Sequence, residues 1–138
     1  MTFWQSELKD HKWISRPEQH AKSLLLTFLL TTYKNTALIF DEIIAGAGLI
    51  DIFIALSNDE KAVIELKMCG LSYSLNYARE GIDQIHHYIE NRNARAGYLL
   101  VFDGRKRDFG KDIPSDVTIH GSRIISKIVD VRPIVKLR

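Results

Sequence analysis

The sequence contains one cysteine, Cys69, which excludes an intramolecular disulfide and a cysteine-rich zinc module. We therefore expect a reducing environment, with the cytoplasm as the default compartment. Long hydrophobic runs are also missing, because the most apolar stretch, 24–30, is far shorter than the roughly 20 residues that cross a bilayer. The first residues carry Glu7, Lys9 and Asp10 instead of a signal-peptide pattern. Neither export nor membrane insertion is therefore expected.

Linker sequences, internal repeats and low-complexity tracts are absent, and the chain has only three prolines. Its 138 residues are 46% hydrophobic and 26% charged, which is the length and balance of one ordinary globular domain. We therefore expect a single domain over residues 1–138.

Neither sign of charge dominates, since the formal net charge is only +2, but the charges are unevenly distributed. Acidic residues outnumber basic ones between 41 and 65, and basic residues outnumber acidic ones from 92 to the end. An acidic centre beside a basic periphery suits a protein that binds a cation and contacts a polyanion. A solvated surface is the alternative interpretation of the same charges.

Residue periodicity predicts two helices. The segment from Ser15 to Glu18 has the form of a capping box with a proline in the first turn, and apolar residues at helical spacing follow over 17–33. A second helix over 72–91 has an apolar stripe formed by Ala78, Ile82, Ile85 and Ile89.

Strand patterns lie between and after these helices. Apolar or alternating segments predict four strands, at 37–44, 49–56, 62–68 and 97–102. The β-branched stretch 124–135 is predicted to add one or two edge strands. The order α-β-β-β-α-β indicates the α/β class, with a mixed sheet flanked by helices and extra C-terminal strands.

Two acids, Asp51 and Glu65, lie on neighbouring predicted strands on either side of a turn centred on Asn58. A register that pairs 55 with 61 places 51 opposite 65, so both carboxylates would point to the same face of an antiparallel hairpin. Directly opposed residues have Cβ atoms roughly 4.5–5.5 Å apart, which allows both carboxylates to bind one divalent cation. A bulge in the turn would instead direct Asp51 away.

Lys67 follows Glu65 by two residues and is expected on the same face. Two carboxylates and a lysine can hydrolyse a phosphodiester with Mg²⁺, or with Mn²⁺ as a substitute. A tight turn at 46–47 would also bring Glu42 opposite Asp51 as a third carboxylate. The alternative is a structural ion pair between Lys67 and one of the acids.

An ordered set of residues resembles a known nuclease superfamily. Asp51, the segment Ile64-Glu65-Leu66-Lys67, and Gln84 and Tyr88 on the next helix resemble the motif residues of PD-(D/E)XK, or restriction-endonuclease-like, nucleases. The predicted order of elements over 17–102 is also that of the core of this superfamily. The residue before Asp51 is isoleucine, where the superfamily motif has proline.

The resemblance assigns roles to these residues. It implies that Asp51 and Glu65 are metal ligands assisted by the backbone carbonyl of Leu66, and that Lys67 orients or activates the attacking water. It also implies a supporting role for Gln84.

Further residues are assigned with an alternative left open. The resemblance implies stacking or phosphate contacts for Tyr88, or else an ordinary half-buried helix flank. Many members place an acid on the first helix, which here would be Glu18, although Glu18 also fits the capping box with Ser15. A loop after the fourth strand carries Arg105, Lys106, Arg107 and Lys111, which would contact phosphates or be merely solvated.

These observations predict a metal-dependent nuclease, in the form of an endonuclease, that hydrolyses DNA, with RNA as an open alternative substrate. The chain has little room for its own recognition domain, so we expect a homodimer or a separate targeting partner. Two other functions stay open. One is a non-catalytic nucleic-acid-binding module with the same fold, and the other is an assembly domain whose 124–135 strands pair between subunits.

Overall fold

The structure is a computed structural model that describes residues 17–33, 35–45, 48–70, 72–92, 94–119 and 121–132. Its elements are, in chain order, α1 (Pro17–Tyr33), β1 (Ala37–Ala45), β2 (Gly48–Leu56), β3 (Lys61–Cys69), α2 (Leu75–Arg92), β4 (Ala96–Asp103), β5 (Asp116–Ile119) and β6 (Ser122–Asp130).

The strands form one mixed sheet in the order β1-β2-β3-β4-β6-β5. The first three strands pair antiparallel, as consecutive strands joined by tight turns can do. β3 and β4 pair in parallel, because α2 carries the chain back across the sheet between them, and β4 pairs in parallel with β6. The fold is therefore α/β, with a six-stranded mixed sheet and two helices.

The two helices cover opposite faces of this sheet, and β3 contributes to both interfaces. Val63 of β3 belongs to a buried cluster with Ile82 and Ile85 of α2. Leu66 of β3 belongs to a second buried cluster, which includes Ala21 of α1. Because alternate side chains of a strand point to opposite faces, β3 is buried on both sides. Within the described residues, neither helix is long and apolar enough to cross a membrane.

Most element boundaries agree with the sequence pattern. α1 has the predicted bounds, and β1 to β4 lie within one residue of the predicted strands at each end. α2 begins later than predicted, at Leu75. Ser72 has a φ of 91°, which is not helical, and Ser74 Oγ accepts a hydrogen bond of 3.0 Å from the Tyr77 N–H as an N-cap does.

The C-terminal part corrects the prediction of edge strands over 124–135. β6 lies inside the sheet, where it pairs with β4 on one side and with β5 on the other. The edge strand is β5, which has only four residues and therefore too short a pattern to recognise. The ladder with β5 covers residues 122–125 of β6, so this part of the strand is paired on both sides, and the assembly of subunits through this stretch stays a prediction. Residues 133–135 lie outside the described part of the chain.

Candidate active site

The candidate site lies along the boundary between β2 and β3. The ladder between these strands has the predicted register, with the pairs Ile52–Ile64, Phe53–Val63, Ile54–Ala62 and Ala55–Lys61. Continuing this register by one residue places Asp51 at the level of Glu65. The predicted register is therefore confirmed where the ladder is described.

Beyond Ile64, carboxylates bind the amide groups at this edge of β3. Asp51 Oδ2 accepts a hydrogen bond of 2.8 Å from the Leu66 N–H. Two residues further, Glu18 Oε1 accepts a hydrogen bond of 3.2 Å from the Met68 N–H. Amides two residues apart point to the same edge of a strand, so the side chains from β2 and α1 converge on one edge of β3. The fold itself thus holds two acids beside Glu65 and Lys67.

Glu65 is a buried acid with an unusual protonation equilibrium. Its side chain is 6% exposed, and burial raises its pKa to about 9, with further increases from the negative charge of Asp51 and a hydrogen bond between the two carboxyl groups. Within the described residues, Glu65 Oε2 is buried and has no hydrogen-bond partner. The pair therefore has an unmet requirement for a proton or a cation.

Lys67 lies beside these acids, but its geometry is not that of a tight ion pair. Its Nζ is 4.0 Å from Glu65 Oε1, and its side chain is 7% exposed. The same Nζ lies 4.3 Å from the ring centroid of Tyr77, over the face of the ring. A structural ion pair between Lys67 and Glu65 stays the alternative interpretation, while burial, which raises the pKa of Glu65, opposes its ionisation.

Glu18, on the first turn of α1, reaches the same site. Besides the Met68 amide, its Oε1 accepts a hydrogen bond of 2.5 Å from the Tyr77 hydroxyl. Burial raises the pKa of Glu18, and the negative charge of Asp51 contributes to this rise, although the Tyr77 hydroxyl and the Lys67 ammonium oppose it. The alternative role of Glu18 involves Ser15, which lies outside the described residues.

The two residues of α2 that the sequence assigns to the site, Gln84 and Tyr88, differ from each other in exposure. Gln84 is exposed to solvent, so it is accessible to a ligand. Tyr88 is only 2% exposed and packs in the core, with its ring centroid 5.9 Å from that of Phe53. A side chain this buried cannot stack on a base or contact a phosphate, so we remove Tyr88 from the predicted nucleic-acid contacts.

The basic loop divides into a structural part and an accessible part. Asp103 is fully buried, and the Arg105 guanidinium donates hydrogen bonds of 3.0 and 3.1 Å to its carboxylate. Although burial opposes ionisation, these bonds and the Gly110 amide lower the pKa of Asp103. Arg105 therefore fastens the loop and is not free for the predicted phosphate contact. The exposed basic residues of this loop are Lys106, Arg107 and Lys111.

This loop packs against the end of β3. A Cβ added to Gly70, the residue after β3, would lie 2.9 Å from the Arg105 backbone nitrogen, so only glycine allows this approach. The start of this loop, at Arg105, thus lies against the end of β3.

The donor set fits a divalent cation that keeps several water ligands. No group of three His, Cys, Asp or Glu side chains that could hold a metal ion is present among the described residues. Asp51 and Glu65 nevertheless supply two hard oxygen donors, and Mg²⁺ is typically bound by one or two carboxylates together with water. The unpartnered Oε2 of Glu65 fits this interpretation. The role of the Leu66 carbonyl stays a prediction, and the Glu42 side chain lies outside the described residues.

Sequence analysis does not single out Tyr77, although it contacts both Glu18 and Lys67. A signal was present, because Tyr77 and Gly81 are four residues apart on α2 and therefore share one helix face. The spacing of residues along α2 does not show which face of the helix packs against β3, because that depends on tertiary packing.

Comparisons of the chain with protein-family models, with curated proteins and with solved structures find no match. The fold is established here as an α/β fold with a mixed six-stranded sheet.

Proposed function

We propose that the protein is a metal-dependent nuclease that hydrolyses phosphodiester bonds in DNA, with Asp51, Glu65 and Lys67 at its centre. The observation that supports the proposal is the buried Glu65 beside the half-buried Asp51, with the Lys67 ammonium 4.0 Å from Glu65 Oε1 and an unpartnered Oε2 on Glu65. Burial of an acid and a lysine costs free energy of folding, and groups retained at such a cost are often functional or bind an ion.

The fold supports this proposal. The order α-β-β-β-α-β over α1 to β4 is the order expected of a restriction-endonuclease-like core, and the acids and lysine lie on its second and third strands. Fold alone does not determine function, so the proposal depends on the chemistry of the site.

In the proposed reaction, Asp51 and Glu65 would hold Mg²⁺ through their carboxylate oxygens. The cation would supply positive charge that stabilises the negative charge developing on the phosphate. Lys67 donates hydrogen bonds to the attacking water or to the phosphate, and its charge is little screened because it is buried. Leu66 and Asp51 are joined by the 2.8 Å hydrogen bond, which fixes the direction of the Asp51 carboxylate.

The proposed substrate surface consists of exposed polar and basic groups. Lys106, Arg107 and Lys111 contact phosphates along the backbone of the nucleic acid, while Gln84 is exposed on α2. Contacts of this kind bind nucleic acids regardless of sequence, so sequence preference is expected to be weak.

Cleavage of supercoiled plasmid DNA with Mg²⁺, with Mn²⁺ and with a chelator tests the function. We expect cleavage that requires the metal and falls by at least about 100-fold in Lys67→Ala and Asp51→Asn, since each change removes a group that acts in the transition state. Matched controls are Lys127→Ala and Asp116→Asn, which alter an exposed lysine and an exposed acid of β6 and β5. Equal rates for Lys67→Ala and the wild type would refute the mechanism, and single-stranded RNA in a parallel assay defines the substrate class.

A second function is favoured by one observation. Because the exposed Lys106, Arg107 and Lys111 could bind phosphates without any metal chemistry, a module that binds nucleic acid without cleaving it is the main alternative. Salt-dependent binding with no cleavage under any metal condition would select this alternative.

A further inference from the structure

Tyr77 is held rigidly in the first turn of α2. Its backbone N–H donates to Ser74 Oγ at 3.0 Å, which fixes the start of the helix. Its ring packs against Tyr73, with the two ring centroids 5.4 Å apart. Both contacts limit the directions in which the Tyr77 side chain can point.

From this position Tyr77 contacts groups of opposite charge on two other elements. Its hydroxyl donates to Glu18 Oε1 of α1 at 2.5 Å, and its ring face lies 4.3 Å from Lys67 Nζ of β3. A hydroxyl binds a carboxylate and a ring face attracts an ammonium, so one side chain satisfies both. Through Tyr77, helix α2 thus contacts both Glu18 of α1 and Lys67 of β3.

Gly81, one turn after Tyr77, makes room for the rest of the lysine. A Cβ at this position would lie 3.1 Å from Lys67 Cγ. Residues four apart lie on the same face of a helix, so Gly81 accommodates the stem of Lys67 while Tyr77 covers its ammonium. A lysine side chain is flexible, and these two contacts select one direction for it.

We propose that Tyr77 is a positioning residue of the site, which rests on the proposed nuclease function: its hydroxyl holds Glu18, and its ring holds the Lys67 ammonium towards Asp51 and Glu65. Tyr77 does not contact the substrate. Loss of the hydroxyl releases only Glu18, whereas loss of the ring releases Lys67 as well.

The kinetic test compares Tyr77→Phe with Tyr77→Leu under metal-dependent cleavage. We expect Phe to lower kcat by about threefold to tenfold and Leu to lower it by about 100-fold, because a misplaced catalytic group slows the reaction by about this factor. KM should stay unchanged in both variants, since Tyr77 does not bind substrate. The matched control is Tyr98→Leu, which removes an exposed ring from β4. Wild-type kcat in Tyr77→Leu, or a loss explained by KM alone, would overturn the proposal.

A second measurement does not depend on activity. In proton NMR spectra, the methylene protons next to Lys67 Nζ should be shifted upfield by the Tyr77 ring in the wild type and in Tyr77→Phe, but not in Tyr77→Leu. The resonances of these methylene protons are identified because they are absent from the spectrum of the Lys67→Ala variant. If the wild type shows no such shift, the positioning role is refuted whatever the nuclease assays give.

The two readouts separate the possible failures. An upfield shift that disappears in Tyr77→Leu, in a protein that cleaves no nucleic acid, supports the contact with Lys67 and refutes only the nuclease function. If Tyr77→Leu does not fold, Tyr77→Phe decides: a reduced kcat with an intact lysine shift supports the hydroxyl contact, and a wild-type kcat refutes it.

Discussion

At the scale of single residues, Glu65 is expected to make the stability of the fold depend on pH. Its pKa is raised to about 9 because the side chain is buried and lies beside Asp51, whereas an exposed glutamate titrates near 4.5. In this pH range the folded protein therefore holds a proton that the unfolded chain releases. Folding takes up this proton, so the stabilisation is complete below pH 4.5 and is lost as the pH rises towards 9.

Glu65→Gln should remove this pH dependence. In the wild type without metal, the free energy of unfolding is expected to fall with rising pH by up to about 1.4 kcal/mol per unit in this range, because the unfolded chain binds fewer protons. Glutamine keeps the shape of the side chain and has no charge to titrate. Urea unfolding across the pH range should therefore give a flatter profile for the variant.

Glu60→Gln is the control for this measurement. Glu60 is more exposed and pairs with Arg95 at 2.8 Å, outside the site. Its variant should keep the slope of the wild type. If Glu65→Gln and the wild type have the same slope, Glu65 does not retain its proton in the folded state.

At the scale of elements, the closeness of α2 to the sheet determines the site. A Cβ at Gly81 would lie 2.5 Å from Leu99 Cδ1 of β4, nearer than carbon atoms approach each other. Because Leu99 is fully buried, it cannot move aside without disturbing the core. Gly81 therefore allows α2 to lie close to the sheet, against Leu99 of β4 and Lys67 of β3, and so contributes to the position of Tyr77 over Lys67.

Gly81→Ala should consequently destabilise the protein, by about 1–3 kcal/mol, through overpacking. On an exposed helix face the same change stabilises by up to about 1 kcal/mol, so the sign of the effect distinguishes the two situations. Urea unfolding gives the free energy, and the exposed Gln84→Ala on the same helix serves as the control. An increase in stability in Gly81→Ala would show that α2 does not lie this close to the sheet.

At the scale of the whole molecule, short-range patterns predicted the central part of the fold. The register of β2 and β3 follows from an even spacing around a turn, so the pairing of residues 52–55 with 61–64 was correctly expected. The position of β6 between β4 and β5 depends on pairing between distant segments, which local periodicity does not contain.

The site, like the fold, could be predicted only in part from the sequence. Residues on paired strands could be placed, whereas residues on α2 depended on how the helix is rotated against the sheet. This rotation buries Tyr88 beside Phe53, leaves Gln84 exposed and directs Tyr77 to Lys67. Arg105 was misassigned because the sequence does not show that its partner Asp103, directly after the apolar segment 97–102, is fully buried.

A divalent cation should stabilise the whole molecule if it binds the folded carboxyl pair. A ligand that binds only the folded state raises the free energy of unfolding by about 2.7 kcal/mol at 100 times its Kd. We therefore expect Mg²⁺ or Mn²⁺ to raise the Tm of the wild type, and most strongly at alkaline pH, where a cation offsets the repulsion between ionised Glu65 and Asp51.

Asp51→Asn should abolish this rise, because the amide is a weaker ligand and carries no charge, while Asp116→Asn on β5 should keep it. Thermal unfolding with increasing Mg²⁺ or Mn²⁺, compared with equal ionic strength of NaCl, measures the effect. A wild type whose Tm responds to both salts alike would mean that Glu65 and Asp51 share a proton instead of a metal ion. The acids would then act as a buried hydrogen-bonded pair, and the nucleic-acid-binding alternative would be preferred.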